Sequence, residues 1–346
     1  MRNIYRYATS TWSGVERYSC LDCAFDVLKN ETAMMDHCKR FGHGRDTYFG
    51  MTDAEWEATQ TDGPKGNNIL LAELCWNTRD ASAEAALALV QESRRLHSLG
   101  NMGSVIITDN GSQDGTMEAI ERTLFSSEHP PNPARTDIIK NPSNLGISRA
   151  RNQIIDFMLN SYRDFGYILF TDGDIEVVPY SSYVMLKYLE CHPTLGVIGA
   201  YSSDYTTERV KAVGRFLEIQ ESRVRDDIKV AWTQYGLFRS DMFRQGLRFD
   251  EEGPFGEPGW GFEDDDFYFQ MREKGWGNKY FGGMTYLHRN IRSSWPNMEA
   301  DGLNPVAIFH KRKEYLVQKW RKRGLDPAIL RAVEAQQPPR RPQHAK

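Results

Sequence analysis

The sequence predicts an α/β fold built on a largely parallel sheet, with a small separate module ahead of it. Three stretches carry the prediction. Residues 69–125 alternate strand and helix signatures, the pattern of a parallel α/β beginning. The short apolar run Tyr167-Ile168-Leu169-Phe170 then ends abruptly in Asp172-Gly173-Asp174. Open α/β sheets bind ligands in the crevice beyond the carboxyl ends of their strands, so this run would present two hard carboxylate ligands there. Asp-Gly is also an ordinary turn pair, and the motif alone leaves a plain turn open. Lastly, Gly259-Trp260-Gly261 feeds a helix headed by Glu263, Asp264, Asp265 and Asp266.

The bulk numbers fit a globular enzyme or binding protein. At 346 residues the chain has room for one large α/β domain or two smaller ones. It is 40% hydrophobic and 26% charged, with a mean hydropathy of -0.60. No apolar run reaches the roughly 18 residues needed to span a bilayer. Arg2 and Arg6 precede no apolar segment of the signal-peptide kind. Five cysteines, an odd number with two closely paired, argue against a disulfide framework, so the cytoplasm is the expected compartment. The net charge of -4 is unevenly spread: from His310 onward eleven Lys and Arg face three Asp and Glu. Such a tail suits a polyanion or a membrane surface, and equally a solvated helix with a disordered end.

Residues 1–45 read as the separate module. Two residues separate Cys20 from Cys23, thirteen separate Cys23 from His37, and five separate His37 from His43. This is tetrahedral zinc spacing. A segment this short cannot fold on apolar burial alone, so zinc would supply the folding energy. Cys38 competes with His37 as a ligand, and a reduced thiol pair in a helical cap is the other reading. The module resembles a two-Cys/two-His zinc finger of ββα type. Residues 46–67 are polar and turn-rich and read as a linker.

The large domain is expected over 68–310. Ile69 to Trp76 reads as its first strand, 81–99 as a helix stopped at Gly100, and 104–108 as the second strand. That strand runs into Asp109-Asn110-Gly111-Ser112, and an acid so placed can accept hydrogen bonds from a nucleotide. Further helix and strand signals follow at 181–191, 196–200, 236–239, 279–281 and 284–288. Residues 311–334 read as one basic helix with Tyr315, Leu316 and Trp320 on an apolar face, and 336–346 as disordered.

Three ordered motifs then identify a family. Asp109-Asn110-Gly111-Ser112-x-Asp114-Gly115-Thr116, Asn141-x-x-Asn144-x-Gly146 with Ala150-Arg151-Asn152, and Asp172-x-Asp174 together resemble family 2 glycosyltransferases of the Rossmann-like GT-A fold. The resemblance implies a nucleotide-sugar donor, with a UDP-sugar favoured. It makes Asp109 the base-recognising acid, sets Trp76 beside the base, and puts Arg151 near the donor phosphates or ribose. Asp174 and His288 would hold Mn2+ (or Mg2+), assisted by Asp172. An oxygen-plus-imidazole set suits manganese better. Leu74-Cys75 stands where the family commonly has Pro-Thr. Gly259-Trp260-Gly261-Phe262-Glu263-Asp264 resembles the Gly-Trp-Gly-x-Glu-Asp motif of inverting GT-A enzymes. That match makes Asp264 the general base, gives Glu263 a place at the acceptor or in holding the loop, and sets Trp260 along the acceptor site. The expected function is therefore metal-dependent, inverting transfer of a sugar to an acceptor hydroxyl. The alternatives are a nucleic-acid-binding zinc-finger protein with a transferase-like domain, and a transferase acting on modified DNA. The acceptor itself (glycan, protein or nucleic acid) stays open.

Overall fold

The computed structural model describes residues 7–12, 15–20, 26–28, 67–125, 136–203, 234–288 and 294–338. Near the N-terminus, β1 (Tyr7–Trp12), β2 (Val15–Cys20) and β3 (Asp26–Leu28) form an antiparallel three-stranded sheet. Cys20 is the last residue of β2; Cys23, His37 and His43 lie outside the described residues, and with them the expected zinc site.

The main sheet has eight strands, which add β4 (Asn68–Cys75), β5 (Met102–Asp109), β6 (Thr136–Lys140), β7 (Tyr167–Asp172), β8 (Ile175–Glu176), β9 (Leu195–Ser203), β10 (Tyr235–Arg239) and β11 (Gly277–His288). Their order is β6-β5-β4-β7-β10-β9-β11-β8. The first four are parallel, and β10 breaks the run by pairing antiparallel with both β7 and β9. The chain moves outward from β4 to β6 and returns on the other side of β4 with β7. That reversal is a topological switch point, where α/β sheets open a ligand crevice. Register brings the candidate residues to one level: Cys75 pairs with Asp109, Asp109 with Lys140, and Leu74 with Asp172.

Both sheet faces are covered, which is why β4 from Ile69 on reads as an apolar run broken by Glu73 instead of alternating. Ile69, Leu71 and Cys75 pack with α1 (Arg79–Ser98), α2 (Thr116–Phe125) and α4 (Ser181–Cys191). Leu70, Ala72 and Leu74 pack with α3 (Ile147–Asn160), α5 (Ser240–Arg244) and α6 (Glu263–Glu273). Three more helices follow, α7 (Ser294–Ala300), α8 (Pro305–Lys322) and α9 (Pro327–Glu334). The sequence suggests one helix over 311–334; there are two, because Gly324 adopts φ +79° and Asp326-Pro327 starts a new helix. The expected boundary between 310 and 311 falls inside α8. Phe309, Leu316, Val317 and Trp320 of α8 share a third cluster with Phe262 and Phe269. Among the described residues no helix is long and apolar enough to cross a membrane.

Candidate active site

The side expected to take the nucleotide is built from two loops locked to each other. The Asn77 amide donates to Ser112 Oγ (2.8 Å), Thr78 N to Thr116 Oγ1 (3.1 Å), and Arg79 N to Asp114 Oδ2 (3.1 Å). In return Gln113 N donates to Asn77 Oδ1 (2.8 Å). Asn77 sits at φ +50°, a left-handed conformation that Asn tolerates well. Trp76 opens this loop pair and is half-buried. Asp109 is buried at the tip of β5, where its Oδ1 accepts from Ser112 N (3.1 Å) and shapes the turn. Gly111 has φ +82°, and a Cβ there would strike the Ser143 backbone.

Below this platform lies an amide network that motif matching left without a role. Asn110 Oδ1 accepts from Asn141 Nδ2 (3.1 Å) and Leu145 N (3.1 Å), while its Nδ2 donates to Asn144 Oδ1 (3.0 Å). Asn141 and Gln153 exchange two bonds, at 2.9 and 3.1 Å. The Asn141-x-x-Asn144 spacing is therefore structural. It ties the ends of β5 and β6 to the start of α3. Asn297 of α7 reaches the same region, donating to the Asn77 carbonyl at 3.0 Å; nothing in its local sequence signals this.

The carboxylate turn follows β7. Gly173 donates its N–H to Leu74 O (2.8 Å), and a Cβ at this position would lie 2.7 Å from Cys75 Cβ and collide with Ser82 Oγ. Only glycine lets Asp172 and Asp174 flank so close an approach. Asp174 is buried, and Asp172 keeps about a fifth of its side chain exposed (21%). His288, the last residue of β11, pairs by backbone with Ile175. Strand register thus sets position 288 beside the residue that follows Asp174. Under the turn, Glu73 is fully buried, with the Ser82 hydroxyl beside its carboxylate. Burial raises its pKa well above the usual range; the Ser82 hydroxyl opposes this and Asp174 adds to it.

Arg151 links this turn to the acid-headed helix. Its side chain is 1% exposed and lies over the Phe249 ring. Nη1 donates to Asp264 Oδ1 at 2.9 Å, Nη2 donates to Asp172 Oδ1 at 3.3 Å, and Glu263 Oε1 lies 3.9 Å from Nη1. Burial alone would lower the Arg151 pKa, but the charges of Asp264, Asp172 and Glu263 outweigh it and raise it. Arg151 is expected near the donor phosphates or ribose; in the fold its guanidinium bridges the two acidic motifs. The four acids 263–266 open α6, where the helix dipole favours negative charge. They divide the work. Glu263 is buried against Arg312 (3.3 Å), and Asp266 is buried against Trp320 Nε1, Gln270 Nε2 and Lys319 Nζ, each at 2.7 Å. Burial, then Asp264 and Glu263, push the Asp265 carboxyl up to about 7. Trp260 is half-buried against the third cluster.

Asp172 and Asp174 offer hard oxygen donors of the kind that divalent cations prefer. Among the described side chains no group of three or more His, Cys, Asp and Glu gathers to complete a metal shell.

Comparison with known proteins gives this arrangement its class. Residues 94–248 match the family model "Glycosyl transferase family 2", and the chain is a glycosyltransferase. A search of curated proteins finds no match. Among solved structures, the mannosyltransferase PcManGT from Pyrobaculum calidifontis, in complex with GDP-Man and Mn2+, is similar at 14% identity and a TM-score of 0.51, over 88% of this chain and 79% of that one. Mannosyl-3-phosphoglycerate synthase from Rubrobacter xylanophilus gives 11% identity and a TM-score of 0.44, over 75% of this chain and 76% of that one. Glucosyl-3-phosphoglycerate synthase from Mycobacterium tuberculosis gives 12% and 0.44, over 72% and 85%. At these identities the first likeness speaks for the GT-A-like fold alone.

Proposed function

We propose that this glycosyltransferase moves a sugar from a nucleotide-diphosphate donor to an acceptor hydroxyl with inversion, and that Asp264 is its general base. The observation that carries the reading is the Arg151 fork. One buried guanidinium holds the Asp264 carboxylate and the Asp172 carboxylate, at 2.9 and 3.3 Å. Base and donor-side acid are thereby oriented by a single rigid group, as positioned acid–base chemistry requires. Asp264 takes the acceptor proton while the freed oxygen forms its bond to the anomeric carbon. The bond from that carbon to the donor phosphate breaks, and its electron pair leaves on the nucleoside diphosphate. Attack from the face opposite the leaving group inverts the centre.

Asp174 and Asp172, with His288 beside them in register, are the residues that would hold a divalent cation. When bound, such an ion neutralises charge building on the diphosphate. Asp109 and Trp76 are assigned to the nucleotide base, and Trp260 to the acceptor. A UDP-sugar is the favoured donor; the GDP-Man in the structural relative makes GDP-mannose the next to try. The test is nucleoside-diphosphate release from UDP-, GDP- and dTDP-sugars with Mn2+ and again with EDTA, for wild type and Asp264→Asn. Removing the base is expected to lower transfer by about 10²–10⁴-fold with nucleotide binding intact. Unchanged transfer by Asp264→Asn removes that residue from the role.

A further inference from the structure

The Gly-Trp-Gly loop is an awkward conformation that something must hold. Gly259 has φ +129°, Gly261 φ +107°, and Phe262, which has a side chain to accommodate, φ +68°. A Cβ on Gly259 would lie 3.0 Å from Ile308 Cγ2 and 3.6 Å from Arg312 Nη2, so the loop rests directly on α8. Arg312 is fully buried there (0% exposed). Its Nη2 donates to the Glu257 carbonyl at 2.8 Å and its Nη1 to Glu263 Oε2 at 3.3 Å. These two acceptors are the two ends of the loop. The face of the guanidinium lies over the Phe255 ring, and its Nε is buried with no hydrogen-bond partner among the described residues. The contacts at the loop ends therefore set the position of this group, since its own hydrogen-bond shell is incomplete.

We propose that Arg312 is a positioning residue for the acceptor side: it staples residue 257 to residue 263 and so holds Trp260, Glu263 and the start of α6 in their working arrangement. It lies outside the matched family region, 94–248. The inference rests on the reading that this loop faces the acceptor. Its second arm explains why a charge is needed. Glu263 is buried, and two guanidinium groups flank its carboxylate, Arg312 at 3.3 Å and Arg151 at 3.9 Å. Without Arg312 the Glu263 carboxylate turns to Arg151 and competes with Asp264 for it. The staple thus keeps Arg151 for the base.

The test compares the full chain with Arg312→Met, Arg312→Lys and, as a control, Lys311→Met. Lys311 pairs with Glu257 from the solvent side, an exposed contact of little energetic weight. Three quantities are read: amide exchange over 257–263, affinity for UDP and GDP with Mn2+, and the ratio of sugar transfer to donor hydrolysis. Losing two charge-assisted bonds at Arg312→Met is expected to speed exchange in this loop about tenfold or more. Exchange in β4 and β5 and nucleotide affinity stay within about twofold, and the transfer-to-hydrolysis ratio falls. Arg312→Lys keeps the charge and one arm and falls between; if the Met variant does not fold, this variant decides. Lys311→Met matches wild type. Wild-type exchange at 257–263 in the Arg312 variants overturns the staple. So does a uniform rise across the molecule with nucleotide affinity lost, which marks a merely structural residue. A wild-type protein that releases no nucleoside diphosphate from any donor overturns the functional reading instead, and the exchange result still judges the staple by itself.

Discussion

A single carboxyl can make the stability of this protein depend on pH. Asp265 titrates at about 7 in the folded chain against an ordinary value of 3.8, because burial and the neighbouring acids disfavour its charge. The folded state therefore binds this proton more tightly than the unfolded one. Its contribution is fully present below about pH 4 and is lost as the pH rises to about 7. Asp265→Asn is expected to flatten that part of a thermal-midpoint-against-pH curve and to stabilise the protein most above pH 7. A curve with the wild-type slope rejects the assignment. At this scale the sequence was informative in an uneven way. Asp172, Asp174 and Asp264 stand out because their chemistry is packed into short motifs. The partner that joins them is not legible: Arg151 meets Asp264 across 113 residues of chain, and no local spacing encodes such a pair.

Elements were legible where periodicity and end signals agree. The helix over 181–191 and the strand ending at Asp172 occur as expected because apolar spacing and flanking residues point the same way. The start of α4 shows what local signals miss. Its N-cap position is Tyr180, left-handed at φ +65° with no side-chain cap of its own. The cap comes from α1 instead. Glu92, fully buried, accepts from Tyr180 N (2.8 Å), Ser182 N (3.1 Å) and Ser182 Oγ (2.6 Å), and Arg95 pairs with it at 3.1 Å. A carboxylate at a helix N-terminus gains from the dipole as well as from the hydrogen bonds. Glu92→Ala strands three donors and Arg95, and is expected to cost about 2–4 kcal/mol in urea unfolding. Glu92→Gln retains an acceptor and the shape, and costs less. A loss under about 0.5 kcal/mol for the alanine variant would mean that α4 does not depend on this cap.

Across the whole molecule, the C-terminal helices form a wall behind the acid-headed helix α6, with α8 packed directly against it. The sequence presents α8 as a basic amphipathic appendage, since its lysines and arginines dominate any local reading. In the fold it turns Phe309, Leu316, Val317 and Trp320 inward and sends Arg312, Lys319 and the Trp320 indole to the acids of α6. Trp320 shows the coupling most directly. It is 1% exposed, packs edge-on to Phe269 at 5.2 Å, and donates Nε1–H to the buried Asp266 at 2.7 Å. Trp320→Ala removes a large core side chain and one of the bonds to Asp266, so it should destabilise by about 3–5 kcal/mol. Trp320→Phe keeps most of the packing and loses the hydrogen bond, while Gln270 and Lys319 still hold Asp266; about 1–2 kcal/mol is expected. Ending the chain after residue 303 removes α8 and α9 together and exposes the outer face of α6. If these helices are a wall, the truncated protein loses sugar transfer, and amide protection in α6 collapses before that in β4 and β5. If transfer survives at wild-type rate, α8 and α9 are peripheral, and the acid-headed helix draws its order from the sheet side alone.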